Sequence, residues 1–305
     1  MTVSQRGSVS VIIPTYERTC YLEEALRSVL AQSWPVHQIL LIDDGSRPEK
    51  RREAERLAGI SDRIDFQPLP AHRGAAAARN RGLDLATGDY VLFLDDDDLL
   101  APSMIERSVS QLEANPDVDA VVCDSQVICM PDGGPAFRIP PSPARAIERN
   151  PFGAILRRGF PIHSCLIRRA SVESFRFPEQ LAFGEDIYFW LALCRHGRRF
   201  TAREEADAIV RRHALNTTRS RATMRREARA LYHRLFADDM VVGKEERVVI
   251  QLKLAYCEIM SGRATGLSHL ASAVRHPWIS LRETARFGAR VFGDPRGFAR
   301  HYFMS

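Results

Sequence analysis

Along the first hundred residues the apolar positions alternate between two periods. VSVIIP (9–14) is a short β-branched run closed by proline and predicts a buried strand. Directly after it, residues 21–32 place Leu22, Ala25, Leu26, Val29 and Leu30 on one face, which predicts a helix laid on a core. The alternation repeats with strands over 38–43, 63–67 and 90–94 and helices over 48–58 and 74–86. Strands that are apolar on both faces, alternating with helices, predict a mainly parallel sheet with helices on both sides.

Further on, the pattern predicts a helix over 102–115, a strand over 119–130 and a loop through the Pro- and Gly-rich passage 131–143. A strand over 162–169, a helix over 187–197 and a strand-like DAIVRR (207–212) follow. Helices are predicted near 223–238, 245–261, 265–275 and 279–292. The expected fold is therefore α/β, a Rossmann-like sheet over residues 1–215, with a C-terminal helical extension over 216–305. In open sheets of this kind ligands sit at the carboxyl ends of the strands.

Composition changes this picture little. The 305 residues are 45% hydrophobic and 27% charged, which suits a globular chain and argues against disorder. The net charge of +5 is concentrated in an arginine-rich stretch from Arg211 to Arg234. The six cysteines are far apart, with no C-x-x-C pair, and read as free thiols. No stretch is long and apolar enough to span a bilayer and the N-terminus carries no apolar signal core, so a soluble cytoplasmic protein is expected. No nucleic-acid partner is expected.

The candidate chemistry lies at the strand ends. LFLDDDDLL sets Asp95, Asp96, Asp97 and Asp98 between apolar runs, where mutual repulsion calls for a cation; carboxylate oxygens suit Mg²⁺ or Mn²⁺. Alternation past the strand end would send Asp95 and Asp97 the same way. The plainer reading is a turn and helix cap, and it fits Asp98 best. Asp43 and Asp44, before Gly45, could accept hydrogen bonds from a base and ribose, but taken alone they read as an Asx turn. Asp186, at a predicted helix start, is open to a role as N-cap or as general base. His213 is a candidate metal or phosphate partner, and Arg211 and Arg212 are candidates for diphosphate, against structural readings for each.

VSVIIPTYERTCYLEEALRSVLAQSW, LLIDDGS, RGAAAARNRGLDLATGDYVLFLDDDDLL and GEDIYFWLALCRHG, in that order, resemble the family 2 glycosyltransferases with the GT-A fold over roughly residues 7–215. The resemblance implies that Pro14, Thr15, Tyr16 and Asp43 line a nucleotide pocket, with Arg73 and Arg79 near the phosphates. It implies that Asp95, Asp96 and Asp97 form a D-x-D-like motif, with Asp97 and Asp95 on a Mn²⁺ or Mg²⁺ ion and Asp95 and Asp96 near the ribose. Asp186 would be the catalytic base, with His163, Ser164, Glu185, Trp190 and His213 lining donor and acceptor. The implied partners are a nucleoside-diphosphate sugar, most commonly of UDP in this family, and a glycan, lipid-linked or small-molecule acceptor. RRHALNTT stands where processive members carry Q-x-x-R-W, which favours addition of one sugar or a few. The loop closing over the donor phosphates is matched only loosely, by His213, Asn216 and Thr217.

Two other classes compete. A nucleotidyltransferase would carry a Gly-rich phosphate loop after the first strand, and IIPTYER has no glycine. A binding module without turnover would have no reason to keep both Asp97 and Asp186. In the tail, WISLRETARFGARVF aligns Arg282, Arg286 and Arg290 beside an apolar face, which reads as a helix packed on the catalytic domain or, alternatively, as a peripheral contact at the inner face of an anionic membrane.

Overall fold

The computed structural model describes residues 7–129, 137–139, 144–213, 221–241 and 243–275. The chain runs β1 (Val9–Thr15), α1 (Leu22–Leu30), β2 (Gln38–Asp43), α2 (Pro48–Ala58), β3 (Ile64–Pro68), α3 (Ala75–Leu85), β4 (Tyr90–Phe93), β5 (Leu99–Leu100), α4 (Met104–Ala114), β6 (Ala120–Cys129) and β7 (Phe137–Ile139). It continues through α5 (Ala144–Arg149), α6 (Pro151–Arg158), β8 (Cys165–Arg168), α7 (Glu185–Arg195), β9 (Phe200–Arg212), α8 (Arg221–Ala237), α9 (Lys244–Ile259) and α10 (Thr265–Val274).

The strands form one sheet in the order β3-β2-β1-β4-β8-β6-β9-β5, with β7 beside β6. β3, β2, β1 and β4 are mutually parallel. Beyond β4 the sheet becomes mixed, because β8 is antiparallel to both of its neighbours while β9 is parallel to β6. Alternate side chains of the apolar strands go to opposite faces. Val9, Val11 and Ile13 of β1 join Leu22, Leu26 and Val29 of α1 and Met104 and Val109 of α4 on one side. Ile12, Leu40 and Phe93 join α3, α6 and α7 on the other. This two-sided burial explains why these strands carry no polar stripe.

Several elements depart from the sequence reading. The helices α5 and α6 fall in a stretch for which no element was predicted, although α6 carries a start signal: Asn150 accepts from the Gly153 amide at 2.8 Å and Pro151 fills the first helical position. The strand-like 207–212 is the end of a much longer β9, hidden because residues 203–205 fall at a register shift opposite Val122 and Asp124. The expected strand 162–169 opens with a 3₁₀ turn over Ile162–Ser164 before β8.

In the tail, Ala228, Leu231 and Leu235 of α8 and Val248, Ile250 and Leu254 of α9 enter the same apolar cluster as α7. The boundary expected at 215/216, the proline-rich passage apart from β7, Asn216, Thr217 and the helix expected over 279–292 lie outside the described residues. No helix among the described residues is long and apolar enough to cross a membrane.

Candidate active site

The four aspartates follow β4 and form a tight turn, in which the Asp98 amide donates to the Asp95 carbonyl at 3.1 Å. The turn sets their directions, not continued strand alternation. Asp95, Asp97 and Asp98 each offer an oxygen within 4.8 Å of the others, whereas Asp96 turns away to accept from the Thr15 hydroxyl at 2.7 Å. Burial pushes Asp96 up to about 6 against the pull of Arg18, and raises Asp97 and, with the neighbouring carboxylates, Asp98. Asp95 runs the other way, because Arg79, His163 and Arg18 outweigh its burial and lower it.

The short β5 closes the turn by pairing with β9, Leu99 opposite Ile209. This pairing delivers the end of β9 to the aspartates. The Arg211 amide donates to Asp98 at 2.7 Å, and the His213 Nε2 lies 3.1 Å from Asp97 while its ring packs against Tyr21. Arg211, a candidate for diphosphate, is buried and committed elsewhere: its guanidinium meets the Asp97 carbonyl, Glu24 at 2.8 Å and the Tyr21 carbonyl at 3.1 Å. It is a structural tie between β9, the turn and α1.

From the other side comes Arg18. Its Nη1 pairs with Asp97 at 2.8 Å and its Nε donates to Asp96 at 3.0 Å. Neither Arg18 nor Asp98 stood out in the sequence as a working member of the site. An arginine two positions beyond Tyr16 carries no signal until β1 and β4 are known to be neighbours.

Arg79 on α3 joins the turn to the start of α7. One arm donates to Asp95 and the other to Glu185, each at 2.7 Å, beneath the Phe177 ring. Burial opposes the charge of Arg79, but Asp95, Glu185 and Asp186 more than offset it and hold the guanidinium firmly protonated. Asp186 stands two positions after Gly184, whose φ of +76° favours a residue without a side chain. Asp186 is half-buried, and its carboxylate accepts from the Ile187 amide at 2.8 Å. Burial and the Glu185 charge raise Asp186 to about 7 against Arg79, which suits a group that takes up a proton near neutrality.

At the end of β2, Asp43 is fully buried and accepts from the Ser46 amide and Arg51 through Oδ2, while its Oδ1 has no hydrogen-bond donor. Asp44 accepts from the amides of Arg73 and Gly74 at 2.9 and 2.8 Å and from His72. Between them and this loop stands Gly45, φ +74°, where a Cβ would lie 2.4 Å from the Ala71 and His72 backbone. The exposed Tyr16 ring stacks on His72 at 3.8 Å. Pro14, paired with Ile42, and Thr15, paired with Asp43, complete the junction of β1 and β2.

The geometry gives several expected site residues partners within the protein. Trp190 is wholly buried among Phe93, Phe160, Phe189 and Phe200 and belongs to the aromatic core, since it lies on the inward face of α7. Ser164 is buried, with its hydroxyl turned to the Pro161 carbonyl at 2.6 Å. Arg79, expected near the phosphates, has both arms on carboxylates and bridges two motifs. Arg73 reaches out to Glu179 at 2.5 Å, and only its amide serves the Asp44 loop. His163 is buried 3.3 Å from Asp98, and burial lowers it to about 4, so it is neutral near pH 7.

The glycosyl transferase family 2 model matches residues 10–175, from β1 to just beyond β8. The chain belongs to this family. It is 32% identical over 218 residues to the putative glycosyltransferase EpsE of Bacillus subtilis, covering 67% of this chain and 76% of that one. The fold matches that of S. aureus TarS 1–349 in complex with UDP-GlcNAc, with a TM-score of 0.64, 18% identity and coverage of 92% and 78% of the two chains. It also matches the mannosyltransferase PcManGT of Pyrobaculum calidifontis in complex with GDP-Man and Mn²⁺, with a TM-score of 0.61, 21% identity and coverage of 98% and 82%. This chain is thus a glycosyltransferase of the GT-A fold. The carboxylates of this glycosyltransferase fit a hard divalent cation: three oxygen donors converge, and Asp95 remains ionised at neutral pH. The family match ends before Glu185, so the place of Asp186 in the site rests on the geometry around Arg79 and on the resemblance of GEDIYFW.

Proposed function

We propose that this glycosyltransferase transfers a single sugar from a nucleoside-diphosphate sugar to an acceptor hydroxyl with inversion, using Asp186 as general base and Asp97 and Asp95, with Asp98, to hold Mn²⁺ or Mg²⁺. The observation that carries the reading is the Arg79 bridge, which fixes the acidic turn and the Glu185–Asp186 pair against one another although they are far apart in sequence. One carboxylate group suits a cation, and the other suits a proton. The fold shared with proteins bound to UDP-GlcNAc and to GDP-Man with Mn²⁺ supports a nucleotide-sugar donor.

In the proposed reaction the acceptor oxygen attacks the anomeric carbon from the face opposite the leaving group, and its proton passes to a carboxylate oxygen of Asp186. The bond from the anomeric carbon to the diphosphate oxygen breaks, and the nucleoside diphosphate departs with that electron pair. A divalent cation held by Asp95, Asp97 and Asp98 would supply charge stabilisation for the leaving diphosphate. Asp43 Oδ1 is a buried acceptor suited to an N–H of the base, and the exposed Tyr16–His72 stack offers an aromatic wall beside it. Arg79, held protonated, keeps Glu185 in place.

The test is titration with UDP-, GDP- and dTDP-sugars in Mn²⁺ or chelator, on wild type, Asp97→Ala and Asp186→Ala. Asp186→Ala is expected to bind donor without turnover, and Asp97→Ala to lose metal-dependent binding. Turnover by Asp186→Ala at the wild-type rate overturns the base assignment, and donor binding indifferent to chelator overturns the metal assignment. Binding without turnover in the wild type would return the chain to the binding-module reading.

A further inference from the structure

The geometry points to Arg18 as a resident counter-cation of the acidic turn, one that a divalent cation taking Asp97 must displace. This inference rests on the proposed metal role of Asp97. Asp96 and Asp97 are 3% and 6% exposed, and such carboxylates are costly to hold ionised side by side without a positive partner. Arg18 supplies one by the fork of its guanidinium, with Nε on Asp96 and Nη1 on Asp97. The oxygen of Asp97 that it meets, Oδ2, is the same atom that faces His213. Arg79, by contrast, uses Asp95 and is itself buried, so the two arginines divide the turn between them.

Arg18 is aimed there by a strained backbone. Glu17 stands at φ +55°, a conformation that L residues rarely adopt, and three contacts hold it. Its amide donates to the Ser46 hydroxyl at 2.9 Å, and its carboxylate accepts from the Arg47 amide at 2.6 Å and from Arg47 Nε at 2.7 Å. The strain turns the chain after Tyr16 so that residue 18 returns over the aspartates. A side chain that is 20% exposed at the end of such a turn has solvent on one side into which it can withdraw.

The consequence is competition followed by exchange. A divalent cation and the guanidinium both seek Asp97, so the cation alone binds less tightly than the carboxylates would otherwise allow. Once displaced, Arg18 lies beside the cation site with its charge available to the donor diphosphate, which favours joint loading of metal and nucleotide.

Mn²⁺ titration followed by electron paramagnetic resonance tests this on the purified chain, comparing wild type with Arg18→Gln and Arg18→Lys, each checked for folding by circular dichroism. Arg18→Gln is expected to bind Mn²⁺ alone at least about tenfold more tightly, the direction set by removing a unit charge beside a partly buried cation. Arg18→Lys, which keeps the charge, should stay close to wild type and serves as the control for simple loss of the side chain. Equal or weaker Mn²⁺ affinity in Arg18→Gln overturns the inference. No Mn²⁺ binding by any of the three, even with UDP or GDP present, removes the metal role of Asp97 and the exchange with it, a result distinct from equal affinities.

Discussion

Two acidic stretches stand at the carboxyl ends of β2 and β4, on either side of β1, and they are satisfied in opposite ways. Asp44 is gripped by two backbone amides and a histidine, and Gly45 lets the neighbouring loop close on it. The Asp95–Asp98 turn is met mainly by side chains, Thr15, Arg18, Arg79 and His213, of which Arg18 is the most exposed and has a long flexible stem. Amide donors make an anchor. Side-chain cations make a site whose partners can exchange, which is what binding and release of a charged donor require. Similar residue types at similar strand ends thus differ in how they are held, Asp44 by backbone and the second stretch largely by side chains.

Substitutions can break this contrast at either end. Asp186→Asn, at the working end, is expected to lower turnover by about 10²–10⁴-fold with donor affinity unchanged, measured by product formation and by calorimetry. Asp44→Ala, at the anchoring end, should cost about 1–3 kcal/mol by stranding the Arg73 and Gly74 amides, seen as a lower denaturation midpoint that Mn²⁺ does not restore. If Asp44→Ala instead left stability intact and removed donor binding, the anchor would belong to the site. A milder effect comes from pH: because Asp186 must be ionised to accept a proton and is raised to about 7, kcat should fall about tenfold per unit below that pH, and its acid limb should vanish in Asp186→Asn. Smallest of all is Asp98→Asn, which should weaken Mn²⁺ only severalfold, since one Asp98 oxygen already accepts from the Arg211 amide.

Periodicity made the parallel half of the sheet legible, because β1, β2 and β4 are apolar on both faces and α1 presents a single apolar stripe. It also led to the acidic turn, since charges next to such strands have few structural uses. Legibility failed where position depends on distant pairing. β9 is broken to the eye by Arg203, Glu204 and Glu205, which lie at a register shift, and only its pairing with β5 brings Arg211 and His213 to the aspartates. Trp190 was a site residue only by resemblance, and a few positions along a helix from the Glu185–Asp186 pair are enough to turn it to the core. Arg18 was silent for the opposite reason: an ordinary surface-looking residue became a central one through a single unusual φ angle at Glu17.

The Arg79 bridge also bears on how such enzymes can be recombined. Asp95, Arg79 and Glu185 form a closed electrostatic circuit, so a hybrid that joins the front of this chain to the back of a relative inherits one half of the circuit from each parent. Crossovers placed before residue 79 or after residue 186 keep it whole. A crossover between them risks a buried guanidinium facing the wrong companion, with the acidic turn and the Glu185–Asp186 pair drifting apart even where both parents fold well.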